Sequence, residues 1–132
     1  MAEKDLETLV RNAWDAYGRG DIEGLLEYVD PNLIWTFLDP SEPDPRPSVC
    51  HGRDQLRQAL RRQASQGLNP QVEEVTVNDD RVLVVLHAPG LDRRRAWAAG
   101  DRNYLVLTVA GDRIIALRAC RDRAEAAATL TS

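Results

Sequence analysis

Little in this chain would staple it, anchor it or hold a metal. Only two cysteines, Cys50 and Cys120, occur in 132 residues, too few and too far apart for a disulfide framework or a zinc motif. Both are expected to be free thiols in a reducing cytosol. The two histidines, His51 and His87, are also far apart and lack Cys or Glu at ligand spacing. No metal and no cofactor is expected on that ground. No apolar run approaches the ~20 residues that a membrane span needs, and the opening MAEKDLETLV lacks the apolar core of a signal peptide. The expectation is a soluble, cytoplasmic protein. A net charge of −4 argues against broad binding to nucleic acid or anionic membranes. Aromatic residues are scarce at 5%, with a single phenylalanine, so where the aromatics sit carries information.

What is present is an ordinary globular composition, 43% apolar and 29% charged. Residues 1–132 read as one domain by length. A chain of this size buries about two-thirds of its unfolded surface and needs no staple.

Leu6, Leu9, Val10, Ala13, Trp14 and Tyr17 recur at helical spacing on one face of a first helix. Gly18 and Gly20 end it. Asp21 is placed to N-cap a short second helix with Ile22, Leu25, Leu26 and Val29 on its apolar side, stopped by Asp30-Pro31. LIWTFL (33–38) reads as a buried strand. The next stretch, DPSEPDPRPSVCH, holds Pro40, Pro43, Pro45 and Pro47 and is expected to be an ordered loop, since proline removes donors and restricts its neighbour. A third helix runs from Gly52 to Gln66, with Leu56, Ala59, Leu60 and Gln63 inward and Gly67 at its end.

Four strands follow, at 72–77, 82–88, 103–109 and 114–120. Asn78-Asp79-Asp80 and Ala110-Gly111-Asp112 form tight hairpin turns between them. The connection 89–100 is longer and carries Arg93-Arg94-Arg95. A short helix near Asp122 completes the order α-α-β-α-β-β-β-β-(α), an α+β protein. The runs VLVVL, LVLTV and IIAL are apolar on both faces rather than alternating. Three helices cover one face only, so the other is expected to meet a second copy in a homodimer.

The element order and three local words resemble the nuclear transport factor 2-like superfamily, and within it the SnoaL-like proteins. The words are AWDAYGRGDIEGLLEYVDPNLIW, HGRDQLRQAL and AGDRIIALRACRD. The resemblance implies a cone with a strongly curved mixed or antiparallel sheet wrapped around N-terminal helices, an enclosed pocket, and frequent dimers. It does not imply one reaction, because relatives include isomerases, cyclases, dehydratases, hydrolases and members that only bind or assemble.

Aligned with the isomerases of that superfamily, Ala13 or Trp14 stands where their tyrosine belongs. Phe37 stands at the base position, and Tyr104 or Leu105 at the late acid, so that chemistry is not expected. A shifted register would bring in Asp39. Relatives with a late acid, or with an Asp-Arg-Asp set, direct attention to Asp101, Arg118 and Asp122, where an arginine between carboxylates could orient water or substrate. Asp101 also adjoins a glycine turn, and Asp122 would equally cap the last helix. His87, late in an apolar strand, is the remaining acid–base candidate. His51 reads as a loop residue. The Arg93–Arg95 run could bind an acidic group or contact nucleic acid, but in an acidic chain it reads first as a solvated hairpin.

His87, Asp101 and Arg118 are therefore the catalytic candidates. Trp14, Tyr17, Trp35, Phe37, Trp97 and Asn103 are the candidate ligand-binding residues, lining a wall suited to a planar, apolar ligand. The functional expectation is a small-molecule-binding protein, with or without acid–base chemistry on an apolar ligand. The alternative is a non-catalytic dimeric binding or assembly module whose pocket is filled.

Overall fold

A computed structural model describes residues 2–132. Helix α1 (Glu3–Gly18) buries the expected stripe from Leu6 to Tyr17. Helix α2 (Ile22–Leu26) is capped by Asp21, whose carboxylate accepts from the Gly24 N–H at 2.9 Å. It is shorter than the sequence suggests, because Val29 already opens strand β1 (Val29–Phe37). Pro31 is tolerated inside that strand because pairing to its neighbour is interrupted between Val29 and Ile34. A residue without an N–H sits there at no cost to the ladder.

The proline-rich stretch is a loop only as far as Pro47. Ser48–His51 forms a second strand, β2, antiparallel to β1 with Phe37 opposite Ser48 and Ile34 opposite His51. Once the prolines end, four residues with free N–H groups suffice for a short edge strand. Gly52, at φ +88°, makes the turn into α3 (Arg53–Ser65), and its N–H donates to the Leu33 carbonyl at 2.7 Å. A side chain would be strained in that left-handed region.

Strands β3 (Gln71–Asn78), β4 (Arg81–His87), β5 (Arg102–Ala110) and β6 (Arg113–Cys120) form a meander. Its two-residue hairpins place Asn78 opposite Arg81 and Ala110 opposite Arg113. The sheet order is β2-β1-β6-β5-β4-β3, with β1 parallel to β6 and every other pair antiparallel.

Helices α1 and α3 cover one face of this mixed sheet. The other face has a cover of its own. Helix α4 (Arg123–Thr131), capped by Asp122 through the Glu125 N–H at 2.8 Å, sets Ala126 and Leu130 against Leu83, Val85, Val106 and Cys120. The outward apolar residues Leu83 and Val85 of β4 and Val106 of β5 are thus covered from within the chain, while Ile115 and Ala116 of β6 stay half-buried. Among the described residues, the large apolar side chains left exposed are Ile34 and Val49, on β1 and β2.

Candidate functional site

On the α1/α3 side of the sheet lies a cavity of about 470 Å³. Its walls come from every layer of the fold. Trp14 of α1, Leu56, Ala59 and Leu60 of α3, and Trp35 and Phe37 of β1 line it. So do Leu86 and Ala88 at the end of β4, Asn103 and Leu105 of β5, and Leu117 and Ala119 of β6. Space remains because several inward positions at this end hold small side chains, Ala59, Ala88 and Ala119 among them. Close packing normally leaves few voids larger than a water molecule.

Trp35 and Phe37, two apart on β1, point the same way, their ring centroids 5.0 Å apart and tilted by 33°. Both are only half-buried, whereas Leu33 on the same strand is fully enclosed. Five of the six expected ligand-binding residues, Trp14, Trp35, Phe37, Trp97 and Asn103, line the cavity. Tyr17 does not. Its hydroxyl donates to the Leu60 carbonyl at 3.1 Å and lies 3.2 Å from Gln63 Oε1, tying α1 to α3. Burial pushes its phenol up to about 12.

The three catalytic candidates are not brought together, and none lines the cavity. The reason is the two-residue period of a strand. With Leu86 and Ala88 turned inward, His87 is turned away and stands opposite Arg102. With Leu117 and Ala119 inward, Arg118 is exposed on the far face, opposite Thr36 and Val106. Asp101 braces a loop: its carboxylate accepts from the Asp92 N–H at 3.1 Å, and its carbonyl from the Ala88 N–H at 2.8 Å. Asp122 is the helix cap. No Asp-Arg-Asp set is formed.

The mouth is built from two loops, one following β1 and one following β4. Asp39 and Pro40 contribute one side. The Asp39 carboxylate accepts from the Ser41 N–H at 2.9 Å and its hydroxyl at 2.7 Å. These bonds hold it below the usual carboxylate range. The other side is the segment after β4, a 3-10 turn (Leu91–Arg94) followed by extended backbone at Arg95. The Ala96 N–H donates to the Pro40 carbonyl at 2.7 Å and joins the two sides.

Arg95, expected on a solvated hairpin, is instead buried. It is 8% exposed, and its guanidinium carbon lies 4.5 Å from the centroid of the Trp97 ring. Its Nη2 donates to the Gly100 carbonyl at 3.2 Å. Its Nε, and the indole Nε1 of Trp97, are buried without any hydrogen-bond partner. Burial pushes the guanidinium's pKa down from its ordinary value. A buried donor left unpaired costs about 1–3 kcal/mol, and more when charged. The signal available in sequence was spacing: in an extended segment Arg95 and Trp97, two apart, share a side.

Solved structures define the class of this fold. The chain is similar to a nuclear transport factor 2-like protein of unknown function from Burkholderia pseudomallei, at 20% identity over 100% of both chains and a TM-score of 0.65. A protein from Sinorhizobium meliloti, provisionally described as a polyketide cyclase, matches at 18% identity over 91% of this chain and 100% of its own, with a TM-score of 0.65. A de novo designed protein with a curved β-sheet matches at 16% identity over 94% of this chain and 90% of its own, with a TM-score of 0.63. At these identities the likeness is one of fold, which a designed chain shares as readily as a natural one. None of the curated proteins matches the chain. Residues 10–117 match the SnoaL-like domain, and the chain belongs to the SnoaL-like family. No helix among the described residues is long and apolar enough to cross a membrane.

Proposed function

We propose that this protein binds a small, largely apolar and planar molecule in the cavity between the sheet and helices α1 and α3. The observation that carries this reading is that the cavity is open while its wall is aromatic. Trp14, Trp35, Phe37 and Trp97 converge on about 470 Å³ of space instead of filling it. Aromatic walls with a few polar groups are the usual make-up of a small-molecule site. The open space also argues against an assembly module with a filled pocket.

Binding is favoured over catalysis. Cyclase chemistry, which the Sinorhizobium meliloti relative's description invites, needs a base to take a proton from carbon. Among the described residues the one carboxylate on the wall is Asp39, and its bonds from Ser41 hold it ionised and weakly basic.

The test is calorimetric titration of the protein with 2-naphthamide, a neutral planar probe. Saturable binding at one site per chain is expected, and it should change in Trp35→Ala. No saturable binding of this probe or of its acid analogue, 2-naphthoate, would overturn the reading.

A further inference from the structure

The mouth of the cavity differs in character from its floor. Three arginines, Arg62, Arg94 and Arg95, reach it against a single aspartate, Asp39, in a chain whose net charge is −4. Two of the polar groups there are donors with nothing to donate to, Arg95 Nε and Trp97 Nε1. They belong to neighbouring side chains, since the Arg95 guanidinium stacks on the Trp97 ring at 4.5 Å.

We infer that the ligand is an amphipathic anion, an apolar ring system bearing one carboxylate-like acid group, and that Arg95 and Trp97 receive that group at the cavity mouth. This rests on the proposal that the cavity binds a small molecule and names the class of molecule. A carboxylate offers acceptors only, which is what two orphan donors lack. An arginine presents its donors in a rigid fork suited to such a group.

The site is also partly dry, where a charge-assisted hydrogen bond counts for more than in water. Both donor atoms are shielded from solvent although their side chains line the cavity. An incoming acid group therefore meets them after a rotation of the guanidinium about its last side-chain bonds. That rotation gives up the bond from Nη2 to the Gly100 carbonyl. Phe37 and Trp35 receive the ring system below.

The experiment compares 2-naphthoate with 2-naphthamide, which have the same shape but differ in charge and acceptors, by calorimetry at neutral pH and low salt. Naphthoate should bind about tenfold or more tightly than the amide, as expected for charge-assisted bonds. Arg95→Gln should bring the two affinities within about threefold, with the larger loss falling on naphthoate. Trp97→Phe, which keeps the ring and deletes the indole N–H, should narrow the gap by a smaller factor. It also decides the matter if Arg95→Gln fails to fold, as judged by circular dichroism.

Arg93→Gln is the control for charge at a distance, since Arg93 is exposed and not on the cavity wall. It should leave the gap intact. If the amide binds as tightly as the acid, or if Arg93→Gln narrows the gap as much as Arg95→Gln, the anion assignment falls and apolar binding stands. If neither probe binds, both fall together.

Discussion

The two ends of the inner sheet face share the same strands and yet have opposite interiors. Toward one end, Leu33 of β1, Val82 and Val84 of β4, Leu107 of β5 and Ile114 of β6 are fully buried among α1 and α2 side chains. A few residues along each strand the packing gives way. Trp35 and Phe37, Leu86 and Ala88, Leu105 and Asn103, Leu117 and Ala119 border open space. The inward register runs unbroken along residues 33–37 of β1 and along β4 and β5, and shifts by one residue in β6, where a bulge separates Ile114 from Ala116; what else changes is the helix above and the size of the side chain below. One end provides the packing that makes the fold stable, so the other can be left hollow. A void costs contacts its lining atoms would otherwise make, and a small domain has only ~5–15 kcal/mol in total to spend.

The comparison is most easily broken at its solid end. Leu107→Ala empties a site that is 0% exposed and should cost about 2–5 kcal/mol in denaturant unfolding. A loss below ~1 kcal/mol would mean that the supposedly filled end relaxes as freely as the hollow one.

Tyr17, buried in the core and bonded to α3, should behave as packing. Its folded pKa, pushed up to about 12, is above the ordinary value of 10.0. Folding thus favours the neutral phenol, and that share of the stability is whole below pH 10 and lost as pH rises toward 12. Unfolding curves across that window should show a fall of roughly 2–3 kcal/mol from this group. Tyr17→Phe should remove that part of the alkaline slope without altering binding of the naphthyl probes. A changed affinity would return Tyr17 to the ligand site.

The smallest effect belongs to the hollow end. Trp35→Ala enlarges a cavity that already exists, so its cost should be about 2 kcal/mol or less, below the ~3–5 kcal/mol of a packed aromatic. Binding of apolar probes should change with it. A full core-sized loss with unaltered binding would assign Trp35 to packing and remove the contrast between the ends.

Much of this molecule follows from short-range pattern in the sequence. The apolar stripe from Leu6 to Tyr17, the Asp21 cap and the four strands from Gln71 to Cys120 lie where periodicity and turn chemistry put them. So do the two tight hairpins. The aromatic wall was also readable, because Trp14 on an inward helical face and Trp35 with Phe37 on one strand face must point into the same layer.

What the sequence alone could not decide was which face of a strand looks inward and what covers the other. VLVVL reads the same in either register, so His87 and Arg118 could be assigned inside until Leu86 and Leu117 were seen to occupy that side. The fourth helix was visible as a helix, but its docking on Leu83, Val85 and Val106 depends on contacts across the chain. Arg95 is the sharpest case. It is one of three consecutive arginines, and only the closure of its loop against Pro40 and the Trp97 ring removes it from water while its neighbours stay wet. Local pattern sets the elements because their hydrogen bonds and periodicity are local. Burial of a single charged side chain is set by everything that packs around it, and that exists only in the folded chain.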